Sequence, residues 1–123
     1  MSNRISSKRS KSAPYRLKCA QLFIDCNYAD SSLSLQSVAA RVGVTAPYLG
    51  KLFNSHCGRG FREVLKRVRL GRAAKLLGDP KFRIKEVASA VGYRHVSGFD
   101  RDFRAVFHKY PNEFRLAMPR SEL

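Results

Sequence analysis

The chain has no tryptophan, only three cysteines, and nine acidic residues against 24 lysines and arginines in a length of 123. Each scarcity excludes something. Three thiols, Cys19, Cys26 and Cys57, do not pair off into a disulfide framework, and an odd number suits a reducing compartment. If Cys19 and Cys26 share one helix, they stand roughly 10 Å apart along its axis, beyond disulfide reach. The three thiols with His56 are the one conceivable zinc set, but no Cys-x-x-Cys pair exists, so no metal and no other cofactor is expected. No carboxylate pair, metal cluster or activated nucleophile emerges from the spacings, which argues against an enzyme. No apolar run is long enough to span a bilayer, and none follows the N-terminal basic residues as in a secretory signal. A cytoplasmic, nucleoid-associated protein with no membrane partner is the expectation. No segment alternates apolar and polar residues in the manner of a strand, so the fold is expected to be all-α.

What the chain does have is positive charge. The formal net charge is +15, and 44% of the residues are apolar. The apolar content supports a packed core, in one domain or two very small ones. The charge points to a polyanion, because each phosphate neutralised by Lys or Arg releases condensed counterions. Anionic membrane is the competing partner, and with no membrane-spanning or signal-like run nucleic acid is favoured over it.

The second feature is a repeat. Leu35-Gln36-Ser37-Val38-Ala39-Ala40-Arg41-Val42-Gly43 returns about fifty residues later as Ile84-Lys85-Glu86-Val87-Ala88-Ser89-Ala90-Val91-Gly92. Leu49 and Phe53 return as Phe99 and Phe103, with one residue more in the second turn. Each copy reads as helix, glycine turn, helix. Two copies are too few for a solenoid, whereas paired helix-turn-helix units on a basic chain suit DNA reading. Gly43 and Gly92 supply the turns, where a residue without Cβ reaches positive φ cheaply. Ser34 and Thr45 are natural N-caps, and Pro47 sits where a first turn needs no N–H.

Around the repeat, residues 15–28 carry Leu17, Ala20, Phe23 and Ile24 at helical steps, and residues 61–77 form a longer amphipathic pattern spanning roughly 25 Å. Gly78-Asp79-Pro80 stops that connector, and a short last helix is expected over 112–118. The implied organisation is a disordered basic tail over 1–12, a first helix-turn-helix subdomain over 13–60, a connecting helix over 61–77, a second subdomain over 79–118, and a tail over 119–123.

Helical wheels identify the faces available to DNA. With Leu49, Leu52 and Phe53 buried, Pro47, Gly50, Lys51 and Asn54 point outward and Tyr48 lies on the flank. With Phe99, Phe103 and Phe107 buried, Ser97, Asp100, Arg101 and Arg104 point outward. Arg101 is the first choice for a base contact, since Arg pairs with guanine in the major groove. Asp100 either accepts from a cytosine amino group or holds Arg101 in place. Arg94, His95 and Ser97, at the entry to the second reading helix, suit phosphate. Thr45 takes the corresponding entry position in the first unit. His56 and His108 read as surface or packing residues.

Taken together, these residues resemble the DNA-binding domain of the AraC/XylS family of bacterial transcription regulators. The resemblance rests on Leu33-Ser34-Leu35-Gln36-Ser37-Val38-Ala39, then Tyr48-Leu49, Phe53, Gly58 and Phe61, and on Arg69-Leu70, Ala73 and Leu76-Leu77 in the connector. In the second unit it rests on Ile84, Val87-Ala88, Gly92-Tyr93, Phe99-x-Arg101-x-Phe103, Pro111 and Phe114-Arg115. It implies two helix-turn-helix subdomains joined by one helix, with the two reading helices in successive major grooves. It places Pro47, Gly50 and Lys51, and Ser97, Asp100 and Arg101, toward bases. It also implies a regulator, an activator that contacts RNA polymerase. Four residues depart from the family pattern: His108 replaces a glycine, Tyr110 a small hydroxyl residue, Gly98 a larger residue, and Arg83 stands at a capping position. The effector-binding domain of many members has no counterpart, so the chain is expected to be a short regulator or the DNA-binding end of a longer one. With both reading helices in one chain, a monomer on double-stranded DNA is expected. A nonspecific or architectural nucleic-acid binder is the alternative.

Overall fold

The computed structural model describes residues 12–118, and every regular element among them is a helix. In chain order these are α1 (Ala13–Asn27), α2 (Leu35–Val42), α3 (Ala46–Leu52), α4 (Phe61–Leu76), α5 (Ile84–Ala90), α6 (Val96–Phe107) and α7 (Pro111–Ala117). The all-α expectation holds. Of the expected basic tail, residues 1–11 lie outside the described residues, as does the tail over 119–123. Ser12 belongs to the fold instead: its carbonyl accepts the Arg16 N–H at 2.9 Å and opens α1. The last helix begins at Pro111 rather than Asn112, because proline fits a first helical turn.

Two compact units divide the chain: residues 12–27 with 32–65, and residues 28–31 with 66–118. The division therefore falls inside α4 rather than ahead of it.

In the first unit, α1 packs on α2 and α3. Leu17, Ala20 and Ile24 of α1 are buried, as are Val38 and Ala39 of α2, Leu49 and Leu52 of α3, and Phe53, Phe61 and Leu65 beyond it. The α2 start is a reciprocal cap: Ser34 Oγ accepts the Ser37 N–H at 3.1 Å, and Ser37 Oγ accepts the Ser34 N–H at 3.0 Å. At its other end Gly43 has φ +84°, and Arg16 Nη1 donates to the Val42 carbonyl at 2.6 Å. Thr45 Oγ1 accepts the Tyr48 N–H at 3.3 Å and starts α3. That helix does not run unchanged to Gly58, its left-handed C-cap at φ +69°. It first widens into a π turn over Phe53–Cys57, where Asn54 Nδ2 donates to the Gly50 carbonyl and Ser55 Oγ to the Lys51 carbonyl. Side chains that bond back onto the preceding turn loosen a helix in this way.

The second unit is built on rings. Leu70, Ala73, Leu77, Val87, Ala88, Val91, Phe99 and Phe103 form its buried core. Tyr93, Phe99, Phe103, Phe107 and Phe114 touch in succession, with centroid separations of 5.5, 5.6 and 4.5 Å along the chain and 5.3 and 5.2 Å from Phe114 to Phe103 and Phe107. Each such pair adds about 0.5–1.5 kcal/mol beyond its buried area. The two capping departures are resolved by glutamates. Glu86 Oε1 accepts the Arg83 N–H at 2.8 Å and Glu113 Oε1 the Tyr110 N–H at 2.9 Å, so each helix start is capped from its third residue. His108, at the glycine position, ends α6 with φ +63° and keeps the 2.8 Å bond from its N–H to the Arg104 carbonyl. Arg115 satisfies the turn after α4, donating to the carbonyls of Leu77, Asp79 and Phe82 at 3.0, 3.4 and 2.6 Å.

Gly92, at φ +102°, is the tightest point of this unit. A Cβ there would lie 2.6 Å from the Tyr28 carbonyl oxygen and 2.8 Å from Arg69 Nε. Those two atoms are bonded to each other at 2.8 Å, and Arg69 Nη2 also donates to the Asp30 carbonyl at 2.8 Å. Burial lowers the Arg69 pKa, with Tyr93 and Asp30 opposing the shift.

Candidate nucleic-acid interface

In the first unit, Thr45, Pro47, Tyr48, Lys51 and Asn54 are exposed on or beside α3. Two of them are already engaged. Thr45 is held as the N-cap, and the Asn54 amide is turned back onto the Gly50 carbonyl. Gly50 lies at the edge of this face: it is half-buried, and a Cβ on it would make an ordinary contact, at 3.5 Å, with Leu35 Cδ2 on α2. The exposed face of α3 is therefore Pro47, Tyr48 and Lys51, a short surface with one charge.

In the second unit, Arg94, His95, Ser97, Arg101 and Arg104 are exposed, and Asp100 is half-buried. The structure tethers several of these. Arg94 Nε donates to Ser31 Oγ at 3.1 Å. The Arg104 guanidinium carbon lies 4.7 Å from the centroid of the Tyr110 ring, a stacking that limits its swing without consuming its charge. His95 is the N-cap residue of α6 in extended conformation, with its carbonyl accepting from the Phe99 N–H.

Arg101 is partnered, though not by Asp100. Its Nε lies 3.3 Å from Asp102 Oδ1, with the arginine side chain 77% exposed and the aspartate 22%. The other Asp102 oxygen accepts the Tyr93 hydroxyl at 2.9 Å. Burial, and behind it the hydrogen bond and charge of Asp102, push the Tyr93 pKa well above its ordinary value, so the phenol stays a donor. The idea that Asp100 holds Arg101 is thereby corrected. Asp102 escaped the sequence reading because residues adjacent on a helix do not ordinarily face each other. The only sequence clue was Tyr93, a hydroxylated ring at the end of the glycine turn.

The basic residues are of two kinds. Arg16, Arg69 and Arg115 spend their donors on main-chain carbonyls, whereas Lys51, Arg101 and Arg104 stand exposed on α3 and α6. Among the described residues no three His, Cys, Asp or Glu side chains come together as a metal set would require, and no described helix is long and apolar enough to cross a membrane.

Comparison with known proteins adds family context to this geometry. A family model described as "Helix-turn-helix domain" matches residues 38–117. The HTH-type transcriptional regulator YijO of Escherichia coli, strain K12, is 38% identical over 93 residues, covering 76% of this chain and 32% of its own. The transcriptional activator NphR of a Rhodococcus species is 33% identical over 95 residues, covering 77% of this chain and 28% of its own. The chain thus spans about a third or less of the curated relatives it matches. Among solved structures, the C-terminal domain of AraT, a response regulator from Geobacillus stearothermophilus, superposes with a TM-score of 0.83 at 30% identity, covering 87% of this chain and 88% of that one.

Proposed function

The chain belongs to the AraC-type helix-turn-helix family, and from that premise we propose that it is a sequence-specific regulator of transcription in which α3 and α6 each enter a major groove of double-stranded DNA. The observation that carries this reading is the pair of exposed helix faces with unlike chemistry, Pro47, Tyr48 and Lys51 on one and Ser97, Arg101 and Arg104 on the other. A helix of this width fits the major groove, and its exposed groups sort into two roles. Arg101 reads a base. Lys51, Arg104, His95 and Arg94 contact phosphate, with Thr45, Asn54 and Asp100 at the margins of the same surfaces. One molecule occupies one site, the two helices lying in successive grooves. The regulator acts as an activator and touches RNA polymerase, a role supported by a relative named as an activator.

The test is competition. A specific duplex is isolated by selection from a random pool and challenged with random DNA. Specific binding should exceed nonspecific by about a thousandfold or more at physiological salt. Displacement by an equal mass of random duplex would leave a nonspecific, charge-driven binder in its place.

A further inference from the structure

A seat for Arg101 is built into the second unit from three residues that nothing in the interface itself requires. Asp102 supplies one oxygen to Arg101 Nε at 3.3 Å, and its other oxygen is fixed by the Tyr93 hydroxyl at 2.9 Å. Gly98, one turn before Arg101, supplies room. A Cβ there would lie 3.8 Å from Arg101 Nη2 and 3.9 Å from Tyr93 Cδ2, an ordinary contact, and a long side chain extending toward either atom would compete with the guanidinium for that space. This gives a physical reason for a small residue at Gly98, where the helix would otherwise gain from a side chain. The Nε contact does not use the terminal amino groups, which form the edge that pairs with guanine O6 and N7.

We propose that Asp102, braced by Tyr93 and cleared by Gly98, is a positioning residue that sets base specificity by holding Arg101 through Nε with its terminal amino groups free for a guanine. An unheld arginine on an exposed helix samples many rotamers and meets phosphate as readily as a base. Ordering it beforehand removes part of the entropy cost of binding. The carboxylate has a second effect. It places one negative charge beside the arginine, which weakens attraction to phosphate of any sequence and so widens the gap between specific and random DNA. Asp102 thus acts in opposite directions on the two kinds of complex.

The inference rests on the reading of Arg101 as a base contact, and the experiment separates the two. Arg101→Ala, Asp102→Ala, Gly98→Ala and Gly98→Leu are compared in the full chain, after circular dichroism and melting confirm folding. Affinity is measured for the selected duplex, for the same duplex with its Arg101-dependent guanine replaced, and for random duplex. Asp102→Ala should lower the discrimination at that base pair about tenfold while raising affinity for random DNA about two- to fivefold. Gly98→Leu should lower the same discrimination without the rise in random binding, and Gly98→Ala should leave it unchanged. A merely structural Asp102 would weaken all three duplexes in proportion. That result, or unchanged discrimination in both Asp102→Ala and Gly98→Leu while Arg101→Ala abolishes it, overturns the seat and leaves the base contact standing. If Arg101→Ala itself leaves discrimination intact, the base contact fails and the seat with it.

Discussion

The two units share a plan and meet it with different chemistry. In the first, hydroxyls start the helices, Ser34 with Ser37 and Thr45 with the Tyr48 amide. In the second, Glu86 and Glu113 reach back from the third helical residue to accept the N–H of the residue before the helix, and α6 starts at His95 with no side-chain cap. In the first core Phe53 pairs with Phe61 at 5.9 Å, and in the second five rings form a connected set. The first reading helix is seven residues of α-helix loosened by a π turn, and the second is twelve residues without interruption. A shared helix-turn-helix pattern constrains the apolar spacing and the turn. It leaves the capping groups, the core composition and the rigidity of the reading helix free. The uninterrupted helix is also the one whose arginine has an acidic partner, so on this account the second unit discriminates bases and the first supplies grip.

The glycine turns give the largest contrast. Both adopt positive φ, but Gly43 has only the end of Arg16 nearby, with Nη1 at 3.4 Å, while Gly92 is pressed against a carbonyl and the Arg69 clamp. Gly43→Ala should cost about 1–2 kcal/mol, the penalty of a left-handed conformation. Gly92→Ala adds the displacement of charge-assisted hydrogen bonds, about 1.5–3 kcal/mol more. Urea unfolding of both variants checks this, and equal losses would mean that the Arg69 clamp contributes nothing.

Next in size is the difference between the reading faces. Arg101→Ala should cost about 1–3 kcal/mol on the selected site and relax preference at one or two base positions. Lys51→Ala should weaken all sequences alike and make the log–log salt slope shallower by about one. Titration against the selected duplex and a set of point-substituted duplexes, at several salt concentrations, distinguishes the two patterns. If they are exchanged, the division into grip and discrimination runs the other way.

The smallest effect concerns His108, the non-glycine residue at positive φ among those described. His108→Gly should stabilise by about 1 kcal/mol, less than the full left-handed penalty because glycine also frees the unfolded chain. A melting temperature that falls would mean the imidazole makes a contact worth more than the strain.

These contrasts also mark what the sequence could disclose. The helices, the buried stripes and the two turn glycines were legible because apolar spacing and the need for positive φ are local properties of the chain. The π turn was not, since it depends on Asn54 and Ser55 bonding back to carbonyls one turn earlier rather than outward. The half-burial of Gly50 was not legible either, because a wheel assigns angles on one helix and cannot see Leu35 on the next. Arg69 was read only as a family match in the connector. Its role as a clamp on the Tyr28 and Asp30 carbonyls joins residues some forty positions apart, a relation with no local signature. For Arg101 the candidate was legible, but its partner was not. Asp100 and Asp102 look alike on paper, and only the Tyr93 hydroxyl decides between them.

The central claim is that two unlike reading helices in one chain recognise one asymmetric site. A helix-turn-helix dimer instead repeats one helix through a two-fold axis, about 34 Å apart, and its operator is palindromic. Sedimentation of the protein on a duplex selected from a random pool, with the sequence of that duplex in hand, tests the claim directly. The account predicts a 1:1 complex on a non-palindromic site of about 20 base pairs, covering two adjacent major grooves. An obligatory 2:1 complex on a palindrome would contradict it.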